Sequence, residues 1–120
     1  SHLEGCVLDA QTNTNGLRVS DTSLDYAKMR GAVLEGVYIR GGSLAHVDLV
    51  RARVKKAVLS AANLQFAAAA AADFTSSRLS HVDFRGADLR WARFWHARID
   101  SANFDRAVIT FADFRTAVGW

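Results

Sequence analysis

An all-β solenoid, wound in stacked coils around a continuous core, is the fold class this sequence predicts. Counted in fives from Leu24, the chain reads Leu24, Met29, Leu34, Ile39, Leu44, Leu49, Val54, Leu59, Leu64, Ala69, Phe74, Leu79, Phe84, Leu89, Phe94, Ile99, Phe104, Ile109 and Phe114, large and apolar everywhere except at Ala69. Two residues before each stands a small one: alanine at thirteen places, Val37, Val47 and Val82 at three, and Thr22, Gly42 and Ser77 at the rest. A period of five fits neither a 3.6-residue helix nor a two-residue strand alternation, so the chain must turn a corner every five residues. Such coils stack through backbone hydrogen bonds about 4.8 Å apart, the large residue filling the axis and the small one letting walls approach.

In chain order, residues 1–10 repeat the pattern out of phase. Leu3 and Leu8 take large places and Cys6 a small one, but Leu8 and Val19 are eleven apart instead of ten. One extra residue must be absorbed, and the turn formers of QTNTNG predict a bulged loop at 11–16, with Cys6 buried as a small hydrophobe. From 22 to 117 the frame is unbroken. It passes through FAAAAAADF, residues 66–74, where local propensity favours a helix but the coils on either side impose a wall. Ala67 and Ala72 then take small inward places and Ala69 a large one, which predicts a thin spot in the core. Residues 1–120 are read as a single domain.

The segments AANLQ, GADLR, SANFD and FADFR resemble the pentapeptide-repeat proteins, whose pattern is a small residue, Asp or Asn, Leu or Phe, and two variable positions. The likeness runs from about Thr22 to Ala117. It implies a right-handed, quadrilateral parallel β-helix with about twenty residues per coil, hence about five coils. The place before the large residue departs from Asp or Asn at Lys28, Val33, Tyr38, Arg53, Val58, Ala68, Arg78, Arg93, Arg98 and Val108, which touches the outer side chains and not the inward pattern. Two functional expectations come with the resemblance. Several members form symmetric dimers through their C-terminal coils, and bacterial quinolone-resistance members imitate the shape and charge of duplex DNA and bind DNA gyrase.

Charge and composition narrow the function. Fifteen Lys and Arg against twelve Asp and Glu give +3, with the signs closely interleaved, so no strong single-sign field is expected and nucleic acid is not the expected partner. A DNA mimic needs a strongly negative surface, which this balance disfavours. One cysteine excludes an internal disulfide and any multi-cysteine metal site. No apolar run approaches the roughly 18–20 residues that span a bilayer, and the opening lacks the pattern of a signal peptide, so a cytoplasmic protein without a membrane partner is expected.

With twenty residues per coil, positions twenty apart stack in columns. Arg53, Asp73, Arg93 and Asp113 form one, read as an ion-pair ladder, with Lys55 beside Glu35 and Arg85 beside Asp105. Arg78 and Arg98 stack as like charges, relieved by Asp83, Asp100 or a bound anion, and RARVKK leaves Arg51 and Lys56 less compensated; these four are the candidate anion contacts. Catalysis finds no support. His46, His81 and His96 fall at three different corners, Ser80, His81 and Asp83 have no evident pocket, and Gly31, Gly36 and Gly41 recur at corner spacing. No enzyme, metal or cofactor is therefore expected.

Exposed apolar residues are the stronger signal. One wall carries Val50, Phe66, Ala68, Ala70, Ala71, Trp91, Val108 and Phe111, with Trp91 and Phe111 in one corner column and Tyr26, His46 and Phe66 in another. This wall is the candidate site for a protein partner. The C-terminal end, with Trp95, Phe114, Val118 and Trp120, is the candidate homodimer interface. The predicted function is a non-enzymatic interaction or scaffold module, with a DNA-mimicking topoisomerase modulator and a purely structural spacer as alternatives.

Overall fold

A computed structural model of the chain describes Gly5, Val7, Arg18–Ser20 and residues 22–119. Its architecture follows from backbone pairing. β1 (Arg18–Ser20) lies parallel to β2 (Tyr38–Arg40), with Val19 opposite Ile39. Elsewhere the walls meet through single bridges, such as Ser23 with Ser43, Ser43 with Asn63, Asn63 with Asp83 and Asp83 with Asn103. The twenty-residue step recurs down the chain to Arg98 with Val118, making a parallel β-helix solenoid.

The walls carry so little continuous strand because a turn arrives every fifth residue. Leu24 C=O accepts a hydrogen bond from Ala27 N–H at 3.0 Å, and Tyr26 between them is left-handed at φ 62°. That closure, with φ positive at the third residue, is the signature of a type II turn. It repeats at Leu44 and Val47, Leu64 and Ala67, and Phe84 and Ala87. Glycine holds the left-handed place at Gly31, Gly36, Gly41 and Gly86, but His46, Phe66 and Trp91 hold it too. A left-handed non-glycine costs roughly 1–2 kcal/mol. Stacking offsets the cost: His46 N–H donates to Gln65 C=O at 2.9 Å, and the corners from Tyr26 to Trp91 are bonded in this way to the next coil.

The Asp or Asn before the large residue has a local task. Its Oδ1 accepts the N–H two residues on, as in Asn63 with Gln65 at 2.9 Å and Asp73 with Thr75, Asp83 with Arg85 and Asp113 with Arg115, each at 3.0 Å. This bond opens the turn that the backbone then closes.

At the N-terminal side, Val7 bridges Lys28 while Val19 pairs with Ile39. The first pairing is one residue out of step with the second, as the spacing of Leu8 and Val19 requires. The loop expected at 11–16 and the burial of Cys6 lie outside the described residues.

Large residues from Leu24 to Ile99 line the axis and are buried, while Phe104 and Phe114 are partly buried and Ile109 is 47% exposed at the C-terminal end. The filling changes along the rod. Leucine, methionine, isoleucine and valine fill the first coils; from Phe74 onward two phenylalanine ladders take over. Phe74, Phe94 and Phe114 stack at 5.1 and 4.6 Å, Phe84 and Phe104 at 5.3 Å, and the ladders meet edge to face at 5.7–6.1 Å. Ser77 is the polar residue within this region. Its hydroxyl donates to Val54 C=O and accepts from Ala57 N–H at 3.2 Å, so it is satisfied.

Residues 66–74 continue the bridges and turns without a helix. Asp48, Ala68 and Asp88 bridge in sequence through the alanine run, fixing its register from both sides. Ala69 is fully buried in a large place, and Phe74 follows it in the same coil. The ring adds about the carbon that the alanine lacks relative to leucine. Among the described residues no helix is long and apolar enough to cross a membrane.

Candidate functional site

One face of the rod is concave. A groove of about 750 Å³ runs along it, lined by Arg51, Ala52, Arg53, Lys55, Ala71, Asp73, Trp91, Arg93, Trp95, Phe111, Asp113 and Arg115. Three adjacent columns build it. The corner column Arg51, Ala71, Trp91 and Phe111 forms one edge, all four residues left-handed at φ 59–66° and so projecting alike. The bridging column Arg53, Asp73, Arg93 and Asp113 forms the floor, its members paired coil to coil. Lys55, Trp95 and Arg115 form the other edge.

Aromatic rings stiffen both edges. Trp91 stacks on Phe111 at 4.4 Å, and both are well exposed. Two guanidiniums lie over the Trp95 ring, Arg93 at 5.2 Å and Arg115 at 5.5 Å from its centroid. Each such contact contributes roughly 0.5–1 kcal/mol at an exposed site and holds the cation in place.

The floor is not the ion-pair ladder expected of its column. Asp113 is gripped by Arg115 from its own coil, with Nη2 to Oδ2 at 2.7 Å and Nε to Oδ1 at 3.0 Å. Asp73 accepts from Thr75 and meets Lys55 at 3.8 Å. Among the described residues Arg53 and Arg93 close no ion pair within 4.0 Å. The carboxylate already bonds the amide two residues on, which aims it at the side chain there. The same geometry pairs Arg85 with Asp83 and Arg90 with Asp88, each at 2.8 Å. Arg85 is thus bound to Asp83, not to Asp105, and Lys55 to Asp73, not to Glu35.

Arg115 holds the Asp113 carboxyl well below the usual carboxylate range, through its guanidinium and its backbone N–H. Arg85 and Arg90 lower Asp83 and Asp88 in the same way, against a smaller opposing effect of burial. Two lining carboxylates are thereby engaged beside five lining cations, which leaves the groove positive.

The expected sites are redistributed. Ala71, Trp91 and Phe111 of the apolar wall, Trp95 of the dimer interface and Arg51 of the anion contacts come together in this one groove. Val50, Ala68 and Ala70 are half-buried on the neighbouring wall, where the Arg30–Asp48 and Arg90–Asp88 ion pairs interrupt the apolar surface. Phe66 joins a separate ladder, stacked on His46 at 5.1 Å with Tyr26 a further 4.7 Å along. Lys56 and Arg78 are exposed and do not line the groove, and Arg98 pairs with Asp100 at 3.3 Å. Phe114 stacks on Phe94 inside the rod, Val118 is 51% exposed at its end, and Trp120 lies outside the described residues. His81 and His96 project from other corner columns, and Asp83 is taken by Arg85 and Gln65. Arg53, Lys55 and Arg93 are lining residues that sequence reasoning assigned to other tasks, and Arg115 is one to which it assigned none. The signal was available: the 53 column stands two residues from the 51 column in every coil.

The family model described as pentapeptide repeats (8 copies) matches residues 18–55, 55–90 and 87–117. No curated protein matches the sequence significantly. Among solved structures the chain is similar to a pentapeptide repeat protein, Rfr23, from the cyanobacterium Cyanothece 51142, at 16% identity and a TM-score of 0.68, covering 99% of this chain and 88% of that one. It is similar to QnrB1, a plasmid-mediated fluoroquinolone resistance protein, at 15% identity and 0.63, covering 99% and 79%. HetL, involved in heterocyst differentiation regulation in the cyanobacterium Nostoc sp. strain PCC 7120, matches at 22% identity and 0.50, covering 98% and 61%. At these identities the likeness is one of fold.

Proposed function

The chain belongs to the pentapeptide-repeat family, and from that premise we propose that it is a non-enzymatic protein-interaction module whose binding surface is the cationic, aromatic-edged groove. The observation that carries this reading is the exposure of Trp91 and Phe111 beside Arg51, Arg53 and Arg93, cations without ion pairs among the described residues. Large rings beside free guanidiniums are the residue types that dominate protein interfaces. The scaffold we infer is a single domain of about five right-handed, four-sided coils. Four turns fall within each twenty-residue pairing step, which supports the four-sided form.

A photo-reactive amino acid placed at position 91, with a control at position 61 in another corner column, tests the reading in extracts of the source cells. Discrete protein adducts at 91 and none at 61 are expected. Equal labelling at both positions, or adducts to nucleic acid alone, overturns it.

A DNA-mimicking role is the alternative that the resemblance brings. It calls for a negative face, and the groove has the opposite sign. We expect DNA supercoiling by gyrase to be unchanged by a micromolar excess of the protein; inhibition, or protection from a quinolone, would restore that alternative. A homodimer through the C-terminal coils is a second proposal, favoured by the exposure of Ile109 and Val118. A mass of 13.1 kDa independent of concentration would remove it.

A further inference from the structure

The two outer ladders differ in whether their last place is filled. Tyr26, His46 and Phe66 stack coil on coil, and the next place in their column is Gly86. A Cβ on Gly86 would lie 2.7 Å from Cδ1 and Cε1 of Phe66, so the Phe66 ring itself covers that place and closes the ladder. Trp91 stacks on Phe111 on one side only. On its other side the column continues to Ala71 and then Arg51, both exposed and left-handed like Trp91. An alanine methyl cannot reach across a ring. One rung is therefore missing between the Trp91 ring and the Arg51 side chain, and it opens into the groove.

The outer ladders have rung spacings of 4.4–5.1 Å, and Arg51 and Trp91 stand two rungs apart. The gap suits one planar ring, stacked on Trp91 and faced by a guanidinium, an arrangement that aromatic and cation–π attraction both favour. The surroundings set the charge of what carries that ring. Arg53 and Arg93 close no ion pair in the floor among the described residues, while Asp73 and Asp113 are each held by a cation.

We propose that this missing rung is a recognition pocket for an aromatic side chain within an acidic peptide segment of a protein partner. The peptide's ring takes the place above Ala71 and its carboxylates meet Arg53 and Arg93. Asp73 stands between those two arginines, which favours a peptide over a nucleic acid. A phosphate backbone carries a charge on every nucleotide and would bring one over Asp73, whereas a peptide can space its acids to avoid it. The inference rests on the reading of the chain as a protein-interaction module.

Calorimetry on the full chain with three synthetic probes tests it: a peptide with one tyrosine between runs of glutamate, the same peptide with alanine in place of the tyrosine, and hexathymidylate. The tyrosine probe is expected to bind about tenfold more tightly than the alanine probe, the worth of one good ring contact. Ala71→Phe fills the rung and should erase that preference. Trp91→Leu should erase it as well, and Arg51→Gln should weaken it, so the test does not depend on one variant folding. Equal affinity for the two peptides overturns the pocket but leaves an acid-binding groove. Tighter binding of hexathymidylate overturns the choice of a peptide. If neither peptide binds, the inference fails, and the cross-linking experiment at position 91 judges the interaction module separately.

Discussion

Phe94 and Phe111 both belong to stacked ring ladders with nearly the same spacing, 4.6 Å from Phe94 to Phe114 and 4.4 Å from Trp91 to Phe111. The first ring is fully buried and the second is 68% exposed. The β-helix imposes the spacing on both, because every column repeats at the coil-to-coil step whatever side chain it carries. What the ladders contribute depends on water. An inner ring is removed from solvent and contributes to stability through buried area; an outer ring keeps its hydration and is available to a partner.

Truncating one ring of each kind separates these roles. Phe94→Ala should lower stability by about 3–5 kcal/mol, because the ring contacts Phe74 and Phe114 in its own ladder and Phe84 and Phe104 across the axis. Phe111→Ala should cost no more than about 1 kcal/mol. Thermal melts of the two variants check this, and comparable losses would break the distinction between inner and outer ladders.

Ala69 sharpens the same comparison from inside the core. The coil that follows holds Leu89 in the column of Ala69 and Phe94 in the column of Phe74, and it carries Phe84 where the earlier coil has Leu64. A leucine beside a phenylalanine is thus already accommodated in that coil. Ala69→Leu should raise stability by about 1 kcal/mol. A lowered Tm would mean that the Phe74 ring has closed the space.

The inward pattern from Leu24 to Ile99 was legible in the sequence, since one residue type every five places leaves little choice of which side chains face the axis. The corner ladders were legible for the same reason: positions twenty apart stack, so Tyr26 with His46 and Trp91 with Phe111 follow from counting. The ion pairs were not. Counting gives neighbours along a column, but the direction of Asp83 or Asp113 is set by the amide two residues on, which turns each carboxylate along its own coil. The groove was missed because Arg51, Trp91 and Trp95 were weighed in separate groups, and only the side chains' approach across columns joins them. The approach of Arg93 and Arg115 to the Trp95 ring has no counterpart in a one-dimensional pattern.

The outer surface also differs from the core in its response to acid. Asp83, Asp88 and Asp113 are each lowered in the folded protein, chiefly by the arginine two residues on. A carboxylate lowered on folding contributes stability that is fully present above its unfolded value, near 4, and is lost as pH falls toward the folded value. The phenylalanine ladders carry no titrating group. A modest fall in Tm is therefore expected as pH drops below about 5 and on toward the lowered folded values, and Asp113→Asn should reduce its size. Asp113 stays ionised in the folded protein until well below pH 4, so its contact with Arg115, and the Trp95 edge beside it, should persist until the rod itself melts. A change in tryptophan fluorescence on acidification that precedes the melting transition would mean that this edge is released apart from the coils.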